Sequence, residues 1–258
     1  MKAGTTAKFR QDSSMQMSAP MMSKDGKPVE VSTTTEQSMK IVKATGNDFT
    51  VETTVTDSKV VGAGSKEGMG SAIAGQLAQA KGSKSTAVYT SLGKPSKPAT
   101  DAASTQQMLN DFGRSLGFQG LVFPGKKVKV GESWSATVSL DRAMGALSKT
   151  MGGSAKMDPI PVNTTFSKVE MQGTKKIGVF NVVMRGKPKM SASGGKAGSL
   201  GMQLVINSQG ELKIDLATGL LVSSIVTVEN SFAFSGAGMG EANGMKMSQL
   251  IRINTRRL

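Results

Sequence analysis

Through most of this chain apolar residues recur every second position. From Glu211 to Leu216, Leu212, Ile214 and Leu216 fall on one side while Glu211, Lys213 and Asp215 fall on the other, as a sheet with one wet face requires. The same rhythm sets Phe49, Val51, Thr53 and Val55 against Glu52 and Thr54, and aligns Met39 with Ile41, Met202 with Leu204 and Ile206, and Met245 with Met247, Ile251 and Ile253. So many alternating runs predict an antiparallel sheet. Glycine and asparagine tolerate the positive φ of tight hairpins, so Asp25-Gly26, Gly46-Asn47-Asp48, Ser208-Gln209-Gly210 and Ala217-Thr218-Gly219 are read as turns. Turns this short link neighbouring strands into a meander.

Two stretches depart from this period. Ile73 and Leu77 lie four apart within 71–80, and Met108, Leu109, Phe112 and Leu116 mark one helical face between Thr100 and Phe118, with Thr100 and Asp101 as caps and Gly117 as a stop. A third helix is read over 141–149. Residues 93–100 form a Pro-rich connection, and Gly152-Gly153, Gly194-Gly195 and 236–240 are read as loops. The expected fold is mainly β (α+β): a curved antiparallel sheet or half-barrel with two or three short helices packed on one side. The expected organisation is a single β-rich domain over 1–258, or two strand-rich halves, about 1–92 and 119–258, joined by a helical middle.

Composition narrows the chemistry. The 258 residues are 38% hydrophobic, and much of the remainder is Ser, Thr and Gly rather than charge, which favours a folded chain. The absence of Cys and His excludes disulfides, thiolate nucleophiles, imidazole bases and the usual zinc ligands. The formal charge of +14 implies attraction to anionic surfaces, yet the lysines are spread along the chain and only Arg252, Arg256 and Arg257 cluster. No apolar run reaches the length of a membrane-spanning helix, and MKAGTTAKFR lacks the apolar stretch of a signal peptide. Since Cys-free, Gly-, Ser- and Thr-rich strands are common in secreted bacterial chains, the expected location is periplasmic or secreted, with a signal already removed.

Candidate motifs fail on spacing or setting. Ser-x-x-Lys occurs at Ser91 to Lys94 and Ser193 to Lys196, but among Gly and Pro rather than on the helix such a pair needs. Carboxylates at Glu36, Asp48, Glu52, Asp111, Glu132, Asp158, Glu170, Asp215 and Glu229 are scattered, with no spacing that pairs an acid with a base. After Gly62-x-Gly64 and Gly238-x-Gly240 the third glycine comes one residue too late for a dinucleotide loop. The 18 methionines, including Met15, Met17, Met21, Met22, Met245 and Met247, pose an all-thioether site for a soft metal such as Cu(I) against flexible packing, and the packing reading is preferred. One Trp, one Tyr and nine Phe supply few stacking platforms for nucleic acid. Trp134 is read as a strand-start anchor after a turn at Gly131. No catalytic residue, cofactor or metal is expected.

Two segments carry a resemblance. VFPGKKVKVGESW, from Val122 to Trp134, resembles a recurring segment of secreted or lipid-anchored bacterial β-rich proteins, read as a short strand, a Pro turn and a Val-x-Val strand before Gly-acid-Ser-Trp. DLATGLLVSS, from Asp215 to Ser224, is similar to the strand-turn-strand of the periplasmic lipoprotein-carrier half-barrel. The resemblance implies a curved sheet whose concave side is closed by helices, with Phe112 and Leu116 pointing inward. It transfers no functional residue, and this chain lacks the lipid-anchoring cysteine.

The expected function is therefore a non-enzymatic exported envelope protein that holds a lipid, lipoprotein or other apolar ligand between sheet and helices. Met39, Ile41, Phe112, Leu116, Met202 and Leu204 are the expected ligand-binding residues. The alternative is a structural or interaction module whose concave space is filled by its own side chains and whose basic face touches anionic envelope polymers.

Overall fold

The computed structural model describes residues 2–18, 28–62, 80–93, 95–97, 122–138, 154–193, 200–236 and 246–258. They form β1 (Thr6–Ser18), β2 (Val29–Thr45), β3 (Asp48–Val60), β4 (Lys84–Thr90), β5 (Pro95–Lys97), β6 (Ser133–Val138), β7 (Ser154–Met157), β8 (Ile160–Gln172), β9 (Lys175–Gly186), β10 (Lys189–Ser193), β11 (Leu200–Asp215), β12 (Leu221–Gly236) and β13 (Lys246–Arg257). The chain is mainly β, as its alternation predicts. The expected helices are not shown, because 71–79, 101–117 and 141–149 lie outside the described residues.

All pairings are antiparallel, in the order β5-β4-β3-β2-β1-β13-β12-β11-β9-β8-β6, with β10 on β11 and β7 on β10. Two meanders are thus joined where the first strand pairs the last, Phe9 opposite Arg257 through Ser18 opposite Ser248. The branch has a simple cause. β8 continues β7 past Asp158-Pro159, and β10 continues β9 past Lys187-Pro188, so two neighbouring strands break side by side at Pro159 and Pro188, which have no N–H to donate to a ladder.

Turn chemistry is mostly local. β2 and β3 meet over Gly46-Asn47 with Gly46 at φ 59°, and β8 and β9 over Gly173-Thr174 with Gly173 at φ 61°. At the β11–β12 turn Gly219 N–H donates to the Asp215 carbonyl at 2.7 Å. Asp215 itself departs from the expected wet face and is 2% exposed. Its carboxylate turns back to accept the Ala217 N–H at 3.0 Å, which ends the strand.

Ser208-Gln209-Gly210 is not a turn; it lies inside β11, with Gly210 opposite both Val182 and Val226. The glycine is there for space, since a Cβ would stand 2.8 Å from the Ile225 carbonyl oxygen and 2.8 Å from Val226 Cγ2. Val128-x-Val130 is likewise not a strand. Residues 122–132 carry no ladder, Val130 is exposed, and Glu132 accepts the Lys129 N–H through its carboxylate, so β6 begins only at Ser133.

The sheet is open but strongly curved. Register shifts in the β2–β3, β8–β9 and β11–β12 pairs add local twist. Measured along the sheet, β4 and β6 stand nine strand spacings apart, roughly 43 Å. Yet Phe123 N–H donates to the Leu92 carbonyl just after β4 at 2.9 Å, and the Trp134 indole of β6 donates to the Val122 carbonyl at 2.6 Å. Residues 122–126 are thus a strap that brings the two ends of the sheet together at one mouth without a ladder.

Two apolar clusters fill the concave face. The middle holds Ile160, Val162, Met184, Leu204, Ile206, Val226, Val228 and Ile253. The strapped mouth holds Ala7, Phe9, Phe166, Phe180, Leu212, Ile214 and Leu221, with Phe123 and Trp134 against them. Phe180 is the hub of the second: it stacks on Phe166 at 4.8 Å between ring centres and meets Phe123 edge-on at 5.8 Å and Trp134 at 6.3 Å.

Candidate functional site

Beneath the strap the concave face leaves a cavity of about 170 Å³. Its walls follow from register. Ala7 lies opposite Met39, Ile41 opposite Val51, Met39 opposite Thr53, and Phe49 opposite Tyr89, so β1 to β4 present one continuous lining. Phe9 on β1, Ile214 and Leu220 around the β11–β12 turn, and Phe123 of the strap close the other side. Gln11, Gln37, Thr53, Thr255, Thr90 and Ser91 supply uncharged polar groups.

No charged side chain lines the cavity among the described residues, although the chain carries 32 Lys and Arg and 18 Asp and Glu. The shifted ionisable groups lie elsewhere. Hydrogen bonds from Lys168 and Lys213 pull Glu170 down to about 2, and the same contact with Glu170 raises Lys213. Both Lys–Glu contacts are 2.8 Å; Lys168 and Glu170 are neighbours on one face of β8, while Lys213 of β11 reaches Glu170 across β9, where Ile177 and Val179 are buried. Asp12 is lowered chiefly by the Thr34 hydroxyl, which donates to it at 2.7 Å, with Arg10 adding to the effect. For Asp215 burial pushes the carboxyl up, and hydrogen bonds from Ala217 and Thr218 outweigh it, leaving the group below its ordinary value. Each of these groups ties strands or a turn together, and none faces the cavity. Among the described residues no three of His, Cys, Asp and Glu gather as metal ligands, and no helix is long and apolar enough to cross a membrane.

The six residues expected to bind ligand separate. Met39 and Ile41 line the cavity. Leu204 is buried in the middle cluster, one of the residues that fill the sheet's own core. Met202 lies two residues before Leu204, on β11, and Phe112 and Leu116 lie outside the described residues. Phe9, Tyr89, Phe123, Ile214 and Leu220 are lining residues that the sequence did not point to as ligand-binding. The alternation of Ala7 and Phe9 was a usable signal, whereas nothing local joins Phe123 to Tyr89.

No family model matches the chain, and no match is found among curated proteins.

Proposed function

We propose that the protein is a non-enzymatic binder of an uncharged apolar group, such as the chain end of a lipid or lipoprotein, working outside the cytoplasm. The observation that carries this reading is a cavity walled, among the described residues, by apolar and neutral polar side chains in a chain of formal charge +14. A carboxylate or ammonium entering it would lose its hydration with no ionic partner among the described lining residues, a cost of several kcal/mol or more. The volume sets the scale of the guest, since an apolar cavity of about 150 Å³ accepts benzene. A single ring or a short run of methylenes fits, with Met39 able to adapt its unbranched thioether to either.

Trp134 is the only tryptophan and stacks on Phe123, a cavity wall, at 6.2 Å. Its emission is therefore a built-in reporter. Titration with hexan-1-ol is expected to give a saturable change, with hexanoate and hexylammonium at least tenfold weaker. Equal response to all three, or no saturable response to the alcohol, refutes the proposal.

A further inference from the structure

The lining of the cavity is neutral, but its mouth is not. Arg257, the last residue of β13, stands opposite the lining residue Phe9, so it shares the concave face with Phe9 and with Thr255, two residues deeper on its own strand. It is half-buried, and among the described residues no carboxylate pairs with it. The other segments that meet here add cations. In the strap, a Cβ at Gly125 would stand 3.5 Å from Leu92 Cδ1, between the lining residues Ser91 and Gly93, and the exposed Lys126 and Lys127 follow directly. The carbonyl of the exposed Lys2 accepts the N–H of the lining residue Thr5 at 3.2 Å. That of Lys176, also exposed, accepts the Leu216 N–H at 3.0 Å, beside the turn whose Gly219 and Leu220 line the cavity. The acids nearby are turned away or engaged: Asp48 precedes Phe49 on β3 and falls on the opposite face, Asp215 accepts the Ala217 N–H, and Glu132 accepts the Lys129 N–H.

We propose that the guest is an anionic amphiphile, its chain end in the cavity and its carboxylate or phosphate head held at the mouth by Arg257 with the lysines around it. The inference rests on the cavity binding an apolar chain, and adds the head that this chain carries. A guanidinium offers paired N–H donors that match either head, and a half-buried one loses less to solvent screening than a lysine in open water. Chain length then decides what the head meets. A six-carbon tail leaves it among Gln11 and Thr255, which stand opposite each other across β1 and β13 and offer no ionic partner. A ten-carbon tail carries it past Thr255 to Arg257. A cationic head on the same tail arrives among like charges.

Trp134 emission is titrated with decan-1-ol, decyl phosphate, decanoate and decyltrimethylammonium, each below its micellar concentration, and with inorganic phosphate alone. At least one of the two anionic amphiphiles is expected to bind about tenfold more tightly than the alcohol, the ammonium more weakly than the alcohol, and inorganic phosphate without response. A gain for one anion only names the head. Arg257→Gln should cut the ratio of anion to alcohol affinity about threefold or more, and the double variant Lys126→Gln with Lys127→Gln should cut it too. Lys59→Gln, in an exposed residue opposite Thr34 and away from the mouth, should leave the ratio as it is. Circular dichroism identifies a variant that does not fold, and the strap variant decides where Arg257→Gln fails. Alcohols that bind while both anions bind no more tightly, an equal gain for the ammonium, a response to inorganic phosphate matching decyl phosphate, or a ratio unmoved in the folded mouth variants overturns the head-group assignment and leaves the cavity reading standing. Loss of the hexan-1-ol and decan-1-ol responses together overturns both.

Discussion

Replacing Ala7 by leucine separates an open cavity from a space the protein fills itself, because the two give opposite signs. Ala7 is 8% exposed, lines the cavity and stands opposite Met39. If the space is open, roughly three added carbons move from water into it, at about 0.8 kcal/mol each. Ordering the leucine side chain costs about 0.5–1 kcal/mol. The net is a stabilisation of about 1–2 kcal/mol, from a side chain that also occupies the guest's position. If the wall is already close-packed, the same carbons force neighbours off their rotamers and destabilise by about 1–3 kcal/mol. Urea unfolding followed by Trp134 emission measures the difference, with an unchanged slope showing that the folded and unfolded states keep their compactness. The expected result is a higher midpoint together with loss of the hexan-1-ol response. A lower midpoint at unchanged slope refutes the open-cavity reasoning.

Three further perturbations test the frame around the site. Phe180→Ala removes the hub that touches Phe166, Phe123 and Trp134, and should cost about 3–5 kcal/mol in denaturant unfolding, with Trp134 emission shifted to the red as water reaches it. Because Asp215 titrates below its ordinary range in the folded state, its contribution is present above the unfolded value near 3.8 and is lost as pH falls through the lower folded value. Asp215→Asn, which keeps an acceptor for Ala217 N–H but not the charge, should therefore lower the unfolding midpoint at pH 7 and flatten its fall as pH drops below about 4. An unaltered pH profile would show that other carboxylates carry the acid sensitivity. Gly210→Ala places a methyl against the Ile225 carbonyl and should destabilise by about 1–3 kcal/mol, whereas a neutral effect would show that β11 and β12 can separate there freely.

What the sequence determined by itself is everything that depends on neighbours along the chain. The alternation of Val51, Thr53 and Val55 announced the buried face of β3, and Gly46-Asn47 and Ala217-Thr218-Gly219 announced real turns, because side-chain period and positive φ are local properties. Trp134 was legible as a strand-start anchor, but its partner, the Val122 carbonyl, belongs to a strap whose path no spacing reveals. Gly210 shows the limit most directly. A glycine demanded by the close approach of β12 reads, along the chain, like one demanded by a turn. The pairing of β1 with β13, the side-by-side breaks at Pro159 and Pro188, and the burial of Asp215 all arise from chain segments far apart in sequence or from a side chain folding back at a strand end. The same is true of the division of the expected site residues: Met39 and Ile41 share a lining while Leu204 packs elsewhere. Alternation tells which face each residue takes. Only the curvature of the assembled sheet, and the strap that draws its ends together, decides which parts of that face enclose space and which are packed solid.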